Sequence, residues 1–127
     1  MLRHGDAERG DDDDSARRLT EKGERQAVVA GRAMAALGIE VGTCLTSPKV
    51  RAAETARLAC EALSVDPKTA DELAGRFDAL ALAGGRGDVL LVGHNPDFKI
   101  EVGRLTGANV KFRKGGLAII EIGRAHV

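Results

Sequence analysis

Tryptophan and tyrosine are missing from this chain of 127 residues, and phenylalanine occurs only three times. So few rings leave no stacking platform for single-stranded nucleic acid. Charge of one sign is missing too: nineteen Lys and Arg balance nineteen Asp and Glu. No net field therefore draws the chain to nucleic acid or to acidic membranes. No apolar run approaches the ~20 residues of a membrane span. No basic, apolar and cleavable succession reads as a secretory leader. Cysteine is scarce: Cys44 and Cys60 sit in apolar surroundings and are not in CxxC spacing. They read as buried free thiols of a reducing compartment, so a cytoplasmic protein is expected.

What is there is ordinary for a globular protein, with 43% hydrophobic and 30% charged residues. The length suits one domain, residues 1–127, with a real core. No internal repeat or linker divides it. Residues 1–3 read as the end of a first strand, cut short as though the numbering began inside a longer chain. Residues 6–18 are polar and hold the run Asp11–Asp14, which reads as a mobile loop.

Residues 20–37 turn helical. Thr20 is the candidate N-cap, Ala27, Ala30, Met34 and Leu37 recur at helical spacing, and Gly38 stops the helix. Residues 43–46 make a short strand. Ser47-Pro48 is expected to open a helix running to residue 63, with serine as cap and proline at the first helical position. A loop over 64–71, a weaker helix over 72–83 and a glycine turn over 84–87 follow. Residues 88–93 form a buried strand, Asn95-Pro96 opens a helix to residue 105, and residues 117–122 form a last strand. Strand–helix alternation predicts an α/β fold, a three-layer α/β/α sandwich with a mostly parallel central sheet.

Three strand-like runs end in the same way. Leu2 leads into Arg3-His4-Gly5, residues 43–46 lead into Ser47-Pro48 and Arg51, and residues 89–93 lead into His94-Asn95-Pro96. In α/β proteins ligands bind beyond the carboxyl ends of the strands. Two Arg and two His would then converge at one sheet edge, an arrangement suited to a tetrahedral oxyanion such as phosphate. Helix amino termini opened by Ser47 and Asn95 would favour an anion at the same edge. Taken singly, each residue has a plainer reading. Arg3-His4 would be a solvated terminus, His94 a satisfied buried histidine and Arg51 a surface cation. Their joint placement argues for a site.

Leu2-Arg3-His4-Gly5-Asp6-Ala7 resembles the RHG signature of the histidine phosphatase superfamily. So do Leu19-Thr20-Glu21-Lys22-Gly23, Ser47-Pro48 with Arg51-Ala52 and Glu54-Thr55, and Val92-Gly93-His94-Asn95-Pro96, in the family's order. Length, the GHNP form and the last apolar stretch are most similar to the small SixA-type phosphohistidine phosphatases. The resemblance implies a phosphoglycerate mutase-like fold without a large cap. It implies that His4 is the nucleophile and forms a phosphohistidine intermediate. Arg3 and Arg51 would grip the phosphoryl oxygens through their planar forks, and His94 would donate to them as an imidazolium. Arg17, Asn95 and Gly5 are the candidate substrate-binding residues, with Gly5 and Gly93 keeping the backbone slim beside the reacting group.

Arg17 matches the Arg of the family's R-P-L-T block, but Arg18 replaces its Pro. A phosphate contact and a plain loop cation both stay open for it. The Asp11–Asp14 run reads as a solvated loop, or else as a screen against very anionic substrates. Its consecutive carboxylates lack the spacing of a cation loop. No metal and no other cofactor is expected, and His126 reads as tail. No convincing proton donor is found: residue 95 is Asn, and Asp71 and Glu72 sit in surroundings unlike the mutase block.

The expected partner is a phosphorylated protein, such as a histidine phosphotransfer domain, or a small phosphorylated molecule. The expected function is removal of phosphate from phosphohistidine on a protein. The alternatives are a small-molecule or promiscuous phosphomonoesterase and a non-catalytic phosphohistidine-binding module.

Overall fold

The computed structural model describes residues 1–10 and 13–122. Four short strands build its sheet: β1 (Leu2–Arg3), β2 (Thr43–Thr46), β3 (Pro67–Thr69) and β4 (Val89–Gly93). They lie in the order β1-β4-β2-β3, and every neighbouring pair is parallel. Parallel neighbours need crossovers. Helices α1 (Glu21–Ala36), α2 (Val50–Leu63) and α3 (Ala79–Ala83) lie in the connections, and α4 (Asp97–Thr106) follows β4.

Pleating sends alternate strand residues to opposite faces. Cys44, Leu90 and Val92 join Leu2 on one face, against Ala30 and Met34 of α1 and Ala52, Ala56 and Cys60 of α2. Leu45 and Leu91 face the other way, against Leu73, Phe98, Val102 and Phe112. The three-layer α/β/α arrangement expected from the sequence is therefore present. Small residues let α1 and α2 approach closely: a Cβ on Gly31 would run into the Ala59 carbonyl.

The common strand direction fixes where the site must be. Arg3 pairs with Gly93 and Thr46 with Val92, so β1, β4 and β2 end side by side. Among the described residues no large cap stands over that edge.

Several local expectations are corrected. The second helix starts at Val50 with Lys49 as its N-cap, not at Ser47-Pro48. The Ser47 N–H still donates to Val92 O at 3.0 Å, which continues the sheet pairing by one residue, and its hydroxyl is used elsewhere. The last helix likewise starts at Asp97, with Pro96, joined to Asn95 by a cis peptide, as its N-cap. The expected loop at 64–71 contains edge strand β3, with its proline at the first position, where no ladder donor is lost. The helix expected over 72–83 is two pieces, a 3-10 turn at Asp71–Ala74 and α3. Gly75 is extended between them, and Asp78 caps α3 by accepting from the Ala81 N–H at 3.2 Å.

The strand expected at 117–122 is reduced to a single antiparallel bridge between Leu117 and Leu2. Nor do the described residues of 6–18 hang free. Glu8 N–H donates to Arg18 O at 2.8 Å, Thr20 N–H donates to Asp6 O at 3.0 Å, and Ala7 bridges Leu19. Asp14–Ala16 forms a 3-10 turn capped by Asp13. Asp11, Asp12 and His126 lie outside the described residues.

Candidate active site

At the carboxyl edge of the sheet lies a cavity of about 240 Å³. Arg3 and His4 reach it from the end of β1, Arg51 from the first turn of α2, and His94 and Asn95 from the end of β4. Arg17 lines it as well, so of the expected site residues only Gly5 is not part of the wall. Lys49, Lys114, Asp97, Ala7 and Ala74 complete it. Five of these side chains are cationic and one is a carboxylate, so the cavity is built for an anion.

Gly5 acts behind the wall. A Cβ there would stand 2.5 Å from Gly23 O, so its slimness serves the contact between the β1 turn and the start of α1. Its N–H donates to Thr55 Oγ1 at 3.1 Å, and its carbonyl lies 2.7 Å from His4 Nδ1. Both polar groups are spent on positioning, which corrects its expected role as a substrate contact. Gly93 is similar: a Cβ there would press on the Phe98 ring at 3.0 Å, not on a ligand.

The Gly5 carbonyl decides the state of His4. An oxygen that can only accept requires Nδ1 to carry the proton, which leaves the lone pair on Nε2. Burial above all, with the guanidinium charges of Arg51, Arg3 and Arg17, pushes the His4 imidazole down to about 4, although the bond to Gly5 works the other way. At neutral pH the ring is thus neutral, with a defined lone-pair nitrogen, Nε2.

His94 stacks obliquely beside it, with ring centroids 5.2 Å apart. Its Nε2 lies 2.7 Å from Ser47 Oγ. Burial above all, with His4, Arg51 and Lys49, pushes this imidazole down to about 3, against the pull of Asp14. The expected imidazolium is therefore not the form of the free protein. Removing a buried ring from water penalises its charged form, and cationic neighbours add to the penalty.

Arg51 is almost wholly buried, and Asp14 holds one edge of it. Its Nη1 donates to the Asp14 carbonyl at 2.7 Å and its Nη2 to Asp14 Oδ2 at 3.1 Å. Arg51 O in turn accepts from Thr55 Oγ1 at 2.7 Å, so Thr55 ties α2 to the Gly5 turn. Arg3 is anchored by donation from Nη1 to Phe112 O at 2.7 Å. Arg17 Nε lies 3.0 Å from Asp14 Oδ1, an ion pair without hydrogen-bond alignment. Four buried site atoms have no hydrogen-bond partner among the described residues: Arg3 Nε, Arg17 Nε, Arg51 Nε and His94 Nδ1. Buried donors in native proteins are almost always satisfied, so these point to an acceptor-rich ligand.

Sequence reasoning missed Ser47 as a partner of His94, and it missed Thr55, Asp14, Lys49, Lys114 and Asp97. Thr55 follows Arg51 by one helical turn and was findable by spacing. Lys114 pairs with Asp6 at 3.0 Å across 108 residues, and no local signal marks it. Asp71 and Glu72 do not reach the cavity, whereas Asp97 does. Among the described residues no group of three His, Cys, Asp or Glu could hold a metal ion.

Known proteins are similar to this chain in sequence and in fold. A family model described as the histidine phosphatase superfamily (branch 1) matches residues 1–78. An uncharacterised protein of a Picosynechococcus species is 33% identical over 143 aligned positions, covering all of this chain and 86% of its own length. The solved structure of the protein histidine phosphatase SixA complexed with tungstate aligns with a TM-score of 0.79 at 25% identity. It covers 89% of this chain and 80% of that one. A mycobacterial glucosyl-3-phosphoglycerate phosphatase with inorganic phosphate shares the fold at a TM-score of 0.66 and 17% identity, covering 85% and 78%. With its strand-end arginines and histidines on one sheet edge and a family model matched over most of its length, the chain belongs to the histidine phosphatase superfamily.

Proposed function

We propose that this phosphatase removes phosphate from phosphohistidine on a protein, with His4 carrying the phosphoryl group between two displacements. The observation that carries this reading is the state of His4, which is neutral, with Nδ1 committed to Gly5 O and Nε2 left to attack. In the first step Nε2 bonds to phosphorus and the phosphorus–nitrogen bond of the substrate breaks. The departing imidazole takes its proton from solvent. In the second step water attacks the phosphoryl group on His4 and releases phosphate. Arg3, Arg51 and the other cations of the cavity neutralise the charge on the phosphoryl oxygens, which is the main task of a phosphoryl-transfer site.

The supply of protons favours an imidazole leaving group. Asp14 is the carboxylate bonded to Arg51, and that hydrogen bond holds its carboxyl below the ordinary range. It is ionised at neutral pH and cannot donate. Imidazole leaves without help from a protein acid, whereas an alkoxide gains ~10²–10⁴-fold from one. An edge without a large cap also suits a side chain presented by a partner protein. The solved SixA protein histidine phosphatase holds tungstate, a tetrahedral oxyanion of the kind this cavity suits.

One observation favours the second reading, a small-molecule phosphomonoesterase: Asp97 lines the cavity and could deliver a proton. A substrate panel separates the two. The expected order is phosphohistidine protein first, p-nitrophenyl phosphate well below it, and sugar phosphates at or near zero. Asp97→Asn and Glu72→Gln should change all three only mildly. Sugar phosphates as best substrates, or selective loss of alkyl phosphate turnover in Asp97→Asn, would establish the small-molecule reading instead.

A further inference from the structure

We propose that Ser47 is a positioning residue that sets the tautomer of His94, so that His94 Nδ1–H is the donor presented to the phosphoryl group. This rests on reading the site as one that holds a phosphoryl group.

Ser47 is fully buried. Its backbone is fixed by the bond from its N–H to Val92 O at the end of β4, one strand over. Its hydroxyl oxygen accepts from the Lys49 N–H at 3.2 Å and lies 2.7 Å from His94 Nε2. Two proton arrangements fit the second contact. In one, the serine O–H donates to Nε2, and Nδ1 carries the ring proton. In the other, Nε2–H donates to Ser47 Oγ, which then accepts twice.

The second arrangement fails the accounting. The serine proton would have no acceptor among the described residues, and a buried donor would stand unsatisfied. Nδ1 would become a lone pair in a wall shared with Arg3, Arg51 and Lys49, offering an acceptor to a ligand that itself only accepts. The first arrangement uses every polar atom of Ser47. It leaves one donor over, Nδ1–H, which is buried and has no partner among the described residues. Arg3 Nε and Arg51 Nε are left over in the same way. Three buried donors of one site then await the oxygens of one anion. The ring of His94 is neutral in the free protein, with burial as the main cause, so the position of its single proton is a real choice.

The same geometry explains why Ser47 does not cap α2. Its oxygen holds the Lys49 N–H in a turn ahead of the helix, and its proton is committed across the sheet edge to β4.

Nitrogen-15 NMR of histidine-labelled protein reads the tautomer without any turnover. The His94 signals are assigned by their loss in His94→Gln. The expected result is a protonated Nδ1 and a bare Nε2 in the parent, with the Nδ1 proton moving downfield on addition of vanadate. In Ser47→Ala the preference should collapse toward a mixture, and kcat/KM should fall roughly ten- to hundredfold, the scale on which losing an orienting hydrogen-bond partner of a functional histidine lowers activity at metal sites. Ser47→Thr, which keeps the hydroxyl, should restore the tautomer. A parent protein with the proton on Nε2, or an unchanged tautomer in a folded Ser47→Ala, would overturn the proposal. The parent measurement stands alone if the variants do not fold. It also stands if the protein hydrolyses no phosphohistidine, so failure of the functional reading is seen separately.

Discussion

Asp14 sits on Arg51 as an anion would. Its carbonyl and carboxylate take both terminal nitrogens of the guanidinium, at 2.7 and 3.1 Å, and the same carboxylate lies 3.4 Å from Lys49 Nζ and 3.0 Å from Arg17 Nε. Three cations of the cavity wall thus share one carboxylate that is itself more than half exposed. A phosphoryl group must compete with it for Arg51, Lys49 and Arg17. The carbonyl contact survives in Asp14→Asn, so the guanidinium keeps one anchor. Exposed ion pairs are each worth ~0.2–1 kcal/mol, so Asp14→Asn should tighten vanadate inhibition by about two- to fivefold. Inhibition weakened by the same factor would mean that Asp14 orients Arg51 more than it competes.

Arg51 itself is tested by charge and by shape. Arg51→Ala should lower kcat/KM by roughly two orders of magnitude or more, because charge-assisted donors count most in the transition state. Arg51→Lys should recover only part of the loss, since an ammonium cannot make the two-pronged contact. Full activity in Arg51→Lys would show that a point charge suffices there.

The two site histidines make stability fall in acid. In the unfolded chain each titrates near 6.5, but in the folded protein His4 is pushed down to about 4 and His94 to about 3. Between those values the unfolded chain binds more protons, so stability rises with pH through this window and is fully present above 6.5. Thermal midpoints should therefore drop steadily from pH 7 to pH 4. Replacing His94 with Asn, which does not titrate, should flatten the curve. An unaltered slope in that variant would place the acid sensitivity elsewhere. Bound phosphate should also flatten it, since a dianion favours the charged rings.

How much of this was legible in the sequence follows from the range of the forces involved. Thr20 caps α1 by accepting from the Gly23 N–H at 3.1 Å, and Gly38 ends the helix with a positive φ, as their local chemistry predicts. The meeting of Arg3, His4, Arg51 and His94 was readable because parallel strands end on one edge, so position along each strand gives position in space. Ser47-Pro48 misled because its serine has two possible employments, and a contact with His94, 47 residues away, outcompetes the helix cap. The helix expected over 72–83 fails at Gly75, whose extended backbone separates two short turns. The strand expected at 117–122 has the right composition, but Leu2 meets it only at Leu117. Asp14 looked like one more carboxylate of a solvated run. Only the fold shows which charge of that run meets Arg51.

The central claim is that His4 Nε2 accepts the phosphoryl group, and a rapid quench tests it most directly. Phosphohistidine protein carrying labelled phosphate is mixed with the enzyme, stopped in alkali and mapped by mass spectrometry. The account predicts label on His4, at Nε2, stable in alkali and lost in acid, and its disappearance together with activity in a folded His4→Ala. Turnover without labelled His4, or full activity in His4→Ala, would contradict it.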